Sequence, residues 1–153
     1  MNAQQIHPPH DFSEHSPSIF LAGSIEMGKA VDWQADLVTQ LADLAVTFLN
    51  PRRPSWDSSW KQSIDNPVFA EQVNWELDAL EHADLVAMYF APGTQSPISL
   101  LELGLFATSG KLIVCCPEGF WRKGNVDIVC ARNGIQQVGS LDELVAEIRK
   151  KFA

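Results

Sequence analysis

Two glutamates stand where a carboxylate could do chemistry. Glu102 lies in the run "PISLLELGLFATSG", between Leu101 and Leu103 and near Leu105 and Phe106. On a helix these neighbours would cover most of the circumference and desolvate the acid. Burying an unpaired charge is costly, so an uncompensated glutamate there would be neutral with a raised pKa, and its presence at such a position suggests a task. Glu76 lies in "QVNWELDALEHAD" beside Trp75, Asp78 and Glu81. Taken alone it reads as one more acid on a helix surface. Brought beside Glu102, it would complete a pair in which one carboxylate attacks and the other handles a proton. Two polar segments accompany the acids. "AGSIEMG" places Gly23, Ser24 and Ile25 at a turn whose backbone N–H groups could approach a ligand. Its spacing is not GxGxxG and no GK[ST] follows, so a nucleotide fingerprint is not met. "NPRRPSWDSSW" sets Arg52 and Arg53 beside Trp56 and Trp60. Cations next to flat aromatic faces suit a base or a phosphate; the same residues also fit a solvated loop whose tryptophans cover a core edge.

The elements that must position these residues follow from periodicity. "SIFLAGS", "AVTFLNP", "DLVAMYFA" and "KLIVCCP" are short apolar runs that read as buried strands, and "GIQQVG" is a weaker fifth. Between them, "AVDWQADLVTQLADL", "PVFAEQVNWELDALEHA" and "PISLLELGLFATSG" carry helical spacing. Pro67 marks the first turn of the second helix, with Asp65 or Asn66 as its cap. "SLDELVAEIRKKF" is a last helix, with Ser140 as cap and Glu143 three residues on. Residues 118–133 read as a loop, and residues 1–16 as a flexible tail ahead of a single domain over 17–153. Alternating strands and helices, with strands apolar on both faces, predict an α/β fold: a flavodoxin-like three-layer sandwich with a five-stranded parallel sheet. In such sheets ligands sit beyond the carboxyl ends of the strands, where the strand order reverses. The glycine turn, the arginine loop and the start of the third helix all fall there.

Composition narrows the partners. The chain has 153 residues, 46% hydrophobic and 20% charged, with a net charge of −8. That is enough for one real core. Nucleic-acid polymers are bound largely through Lys and Arg on phosphates, so an acidic chain is not expected to bind one. No apolar run approaches a bilayer span and the N-terminus lacks signal-peptide character, so no membrane association is expected. Cys115, Cys116 and Cys130 are read as reduced thiols of a cytoplasmic protein. His7, His10 and His15 fall in the tail and His82 on a helix, so no metal site and no cofactor is expected. Excess apolar surface on the second helix, where Trp75 projects away from the core side, and on the third helix predicts a homodimer, or a dimer of dimers.

The segments "IFLAGSI", "WELDALEHADLVAMYF" and "LLELGLFATSGKLIVC" resemble, in order and spacing, the nucleoside 2-deoxyribosyltransferase-like superfamily, which includes the 2′-deoxynucleoside 5′-phosphate N-hydrolases. The similarity runs from about Ile19 to Cys116. It implies an enzyme that cleaves or exchanges the N-glycosidic bond of a small-molecule nucleoside or nucleotide. Glu102 falls on the family's nucleophile, which forms a glycosyl-enzyme ester in the manner of retaining glycosidases. Glu76 falls where the family often has an aspartate acting on the base. Ser96 falls where the transferases have a sugar-binding aspartate. Glu26 stands where the N-hydrolases have an arginine for the 5′-phosphate, leaving Arg52 or Arg53 to supply that charge. The resemblance also implies active sites shared between subunits, with Asn125 or Asp127 reaching a neighbour. The alternatives are a non-catalytic nucleotide-binding module of the same fold, a hydrolase of another N-glycoside such as a nicotinamide dinucleotide, and a flavodoxin-type electron carrier.

Overall fold

The structure, a computed structural model, describes residues 2–14, 17–25, 30–53 and 59–153. Six parallel strands make one sheet: β1 (Gln4–Ile6), β2 (Ser18–Gly23), β3 (Thr47–Leu49), β4 (Leu85–Tyr89), β5 (Leu112–Cys115) and β6 (Gln136–Val138), in the order β1-β3-β2-β4-β5-β6. The helices are α1 (Trp33–Gln40), α2 (Pro67–His82), α3 (Pro97–Phe106), α4 (Lys123–Asn133) and α5 (Leu141–Phe152).

Strand residues alternate between two cores. Phe20, Ala22, Val86, Met88 and Val114 pack with Trp75, Leu80, Leu103 and Val126 of α2, α3 and α4. Ile19, Leu21, Ala87 and Ile113 pack with Trp33, Leu37, Leu144 and Ile148 of α1 and α5. This is the three-layer sandwich that apolar-on-both-faces strands require. The order reverses between β2 and β4: β2 runs on to β3 on one side, and β4 to β5 on the other.

The helix ends are set locally. The Asn66 side chain accepts from Val68 N at 3.2 Å, with Pro67 at the first turn of α2. Ser140 accepts from Glu143 N at 3.1 Å, and Glu143 returns the bond to Gly139 N at 2.8 Å. At the far end of α2, Lys111 Nζ donates to the carbonyls of Leu80, Glu81 and Ala83, completing three groups the helix leaves open.

Three expectations are corrected. The sheet has six strands, not five, because residues 4–6, read as part of a loose tail, pair with β3. "QQI" carries little apolar signal; the backbone holds it, with Asn50 N donating to Ile6 O at 2.9 Å and Asn50 Nδ2 to Gln5 Oε1 at 2.7 Å. Trp75 does not project to solvent. Its indole N–H donates to His10 O at 2.8 Å and its ring meets Phe12 edge-on at 5.5 Å, so the N-terminal segment covers it. Residues 123–133, read as loop, are helical: only Val126 and Cys130 are fully buried, too sparse a stripe to show a period, and Gly134 ends the helix at φ 64°. Both sheet edges, β1 and β6, are three residues long, and each presents two exposed glutamines.

Candidate active site

The carboxyl ends of β2 and β4 meet through a turn that only glycine allows. Gly23 has φ 144°, and a Cβ there would lie 2.2 Å from Tyr89 O. That close approach lets Ser24 N donate to Tyr89 O at 3.0 Å. The buried Ser24 hydroxyl accepts from Ala91 N at 2.9 Å and hydrogen-bonds Thr94 Oγ1 at 2.9 Å and Ser96 Oγ at 2.5 Å. Thr94 and Ser96 are themselves 2.9 Å apart. Ser96 holds a left-handed backbone, φ 47° and ψ 53°, immediately before Pro97 and the start of α3. Three hydroxyls thus lace the end of β2 to the start of α3. The carbonyl of Ser24 accepts from the Trp33 indole at 3.1 Å, and that of Ile25 accepts from Ala30 N at 3.0 Å.

On α3 the inward residues are Ser99, Glu102 and Leu103. Glu102 is only 5% exposed, whereas Leu101 is 58% and Leu105 57% exposed. The sequence expectation that leucines wrap the acid is corrected in its detail: Leu103 is buried beside it, whereas Leu101 and Leu105 face outward. Among the described residues no hydrogen bond reaches the Glu102 carboxyl. Burial pushes its pKa well above the ordinary value, and the charge of Glu76 pushes it further. Glu76 is raised to about 7 by burial, partly opposed by a hydrogen bond from Gln72. Gln72 Nε2 donates to Glu76 Oε2 at 3.0 Å and to Pro51 O at 3.0 Å. The two acids therefore titrate as a pair, and their proton-binding steps belong to both. Two carboxyls with raised pKa values that share their protons have the makings of a nucleophile and a proton donor.

The two arginines after β3 have different surroundings. Arg52 is committed to the start of α1: it donates to the carbonyls of Ala30 and Val31 and lies 3.8 Å from Asp32. Arg53 lies 3.8 Å from Glu71, and its buried Nη1 has no hydrogen-bond partner. Trp56 and Glu26 lie outside the described residues. Asn125 is exposed on α4 and lines a shallow apolar groove with Leu100, Leu103, Gly104, Trp121 and Val126. Asp127 is occupied, accepting from Lys123 Nζ at 3.0 Å and Gln137 Nε2 at 2.9 Å. Gln72 and Thr94 escaped the sequence reading. Gln72 sits one turn before Glu76, a spacing that can be read from "QVNWE" once Glu76 is suspected. Thr94 sits in a loop without a period and carries no such signal.

No group of three or more His, Cys, Asp or Glu that could hold a metal occurs among the described residues. No helix among them is long and apolar enough to cross a membrane. A comparison of the chain with curated proteins finds no match. Residues 16–120, which contain both glutamates, the hydroxyl cluster and both arginines, match the family model described as nucleoside 2-deoxyribosyltransferase like.

Proposed function

Because the chain belongs to the nucleoside 2-deoxyribosyltransferase-like family, we propose that it is an enzyme that cleaves or exchanges the N-glycosidic bond of a (deoxy)nucleoside or nucleotide. The observation that carries this reading is Glu102, turned inward from α3 while Leu101 and Leu105 face out, and sharing its titration with Glu76. In the proposed reaction the proton shared by the pair passes from Glu102 to Glu76 as substrate binds, and the Glu102 carboxylate attacks the anomeric carbon. The C–N bond breaks, its electron pair leaves with the base, and Glu76 supplies the proton that neutralises the base. A water or a second base, deprotonated by Glu76, then attacks the ester and frees Glu102. Gly23, Ser24, Ile25 and Ser96 would border the sugar. Of the two arginines, Arg53 has the donor to meet a 5′-phosphate, since Arg52 already holds the start of α1. Trp56 is proposed to stack on the base.

Assembly belongs to the same reading. Ile98, Leu101 and Leu105 of α3, Trp121 just before α4 and Ile128 on α4 are each more than half exposed. Of the large apolar residues of α2, only Val68 is exposed, and at 37% it is less open than any of these. The proposed homodimer therefore pairs α3 and α4 faces rather than α2 faces. Asn125, in the same groove, is the better donor to a neighbour's site, because Asp127 is bound to Lys123 and Gln137. Light scattering at micromolar concentration should give about twice the 17.0 kDa chain mass; a monomer would remove the shared site.

One observation favours a second reading, a nucleotide-binding module without turnover. Ser96 falls where the family resemblance implies a sugar-binding carboxylate, and its hydroxyl is already engaged with Ser24 and Thr94. One experiment separates the two. The protein is incubated with a panel of nucleosides, their 5′-monophosphates and nicotinamide dinucleotides, and free base is followed by chromatography. Base release supports the enzyme; binding by calorimetry without release supports the module.

A further inference from the structure

We propose that Gln72 is a positioning residue that fixes which oxygen of Glu76 carries the catalytic proton and how readily that proton leaves. The inference rests on the glycosyl-transfer reading above. Gln72 is buried, at 6% exposure, one turn before Glu76 on α2. Its Nε2 has two hydrogens and two acceptors, Pro51 O and Glu76 Oε2, each at 3.0 Å. A flipped amide would set its oxygen against both acceptors, so the orientation is locked. The cost of that lock is visible: Gln72 Oε1 is buried and has no partner. An apolar side chain of similar length would fill the space without leaving an orphaned acceptor. The amide is therefore held for its N–H groups.

Two consequences follow for Glu76. With Oε2 receiving a hydrogen from Gln72, the acid form keeps that bond only if its proton sits on Oε1. The same bond favours the carboxylate and works against burial, which lets Glu76 release as well as hold a proton near neutrality. Pro51 follows β3 directly, so Gln72 also ties Glu76 to the segment that bears the arginines. The other charged groups around this point are Glu102 on α3, Glu71 on α2, and Arg52 and Arg53 after β3. Arg52 is held by the carbonyls of Ala30 and Val31, and Arg53 faces Glu71. Glu102 is thus the group whose titration is shared with Glu76.

The test is a carbon-13 titration of the glutamate carboxyls in the parent protein, Gln72→Met and Gln72→Asn, with Glu76→Gln to assign the signal. Gln72→Met removes the donor at nearly constant length; Gln72→Asn keeps an amide but withdraws it by one methylene. The Glu76 midpoint should rise by about half to one pH unit in Gln72→Met and move the same way in Gln72→Asn. Base release, where the parent shows it, should move its pH limb by the same amount. A Glu76 midpoint unchanged in either folded variant overturns the proposal. The titration needs no substrate, so a parent that releases no base from any nucleoside would overturn the reaction alone.

Discussion

The two ends of the sheet treat a half-hidden or hidden charge in opposite ways. At the amino ends of the strands, Lys111 donates to three carbonyls at the close of α2, and the Phe106 ring lies 5.8 Å from its ammonium. Nearby, Asp84 accepts from Ser18 N at 2.8 Å. At the carboxyl ends, Glu102 is buried without a described hydrogen bond and beside a second acid. The lysine meets the negative end of a helix dipole and open acceptors, so its charge strengthens the architecture. The glutamates meet each other, so their charges weaken it. A domain that surrounds one half-buried charge with acceptors and leaves a buried one in conflict has reserved the second for something other than folding.

That contrast can be broken most forcefully at Glu102. Glu102→Gln keeps the shape and removes the nucleophile. Base release should fall by roughly three orders of magnitude or more, with an unchanged circular-dichroism spectrum. Parent-like turnover would place the chemistry elsewhere. The mirror experiment is Lys111→Met. It should lower the unfolding free energy by about 3 kcal/mol in urea titrations, since it strips the α2 terminus of its donor, yet leave the turnover of the folded fraction unaltered. A neutral Lys111→Met would mean that solvent caps α2 equally well.

A third experiment sharpens the sign. Glu76 has a folded pKa of about 7 against an ordinary value of 4.5. Between those values the native state holds more protons than the unfolded chain, so stability is fullest below about pH 4.5 and declines as pH rises to about 7. Glu76→Gln removes that decline. The variant should be more stable than the parent by about 2 kcal/mol at pH 8 and by much less at pH 4, as thermal melts at the two pH values will read. A parent whose stability is flat from pH 4 to 8 would contradict the conflict between the acids. The smallest expected effect is that of Ser96→Gly. Glycine relieves the left-handed backbone but removes the hydroxyl shared with Ser24 and Thr94, so the two changes offset to within about 1 kcal/mol. A loss much beyond that would show that the hydroxyl cluster, not the turn, holds the start of α3.

The sequence made the layers legible because their signals are local. Runs such as "IFLAG" and "LIVC" are apolar on both faces, and nothing else of that length needs to be. The switch point followed from order alone, and with it the neighbourhood of Gly23, Ser96 and Glu102. What stayed hidden depends on distant contacts. Trp75 looks unburied until Phe12 and His10 arrive from the N-terminal segment. "QQI" gives no strand signal because its pairing is made by the backbone of β3. Arg52 and Arg53 are identical in type and adjacent, and only the direction of the chain after Pro51 decides that one holds α1 while the other keeps an unpaired donor. The apolar neighbours of Glu102 point to its burial, but only the fold decides that Leu103 is buried with it while Leu101 and Leu105 face solvent.

The glutamine-tipped edges described above have a colloidal consequence. A parallel sheet with long apolar borders invites further strands, and sheets that grow this way end as fibrils. Here each border is three residues long and presents exposed amides rather than an apolar ladder. Borders this short discourage growth of the sheet at both ends, while among the described residues the large apolar side chains left in solvent stand on helices or in the segments beside them. Whatever company this chain keeps at high concentration is steered toward a closed, countable assembly and away from open-ended stacking.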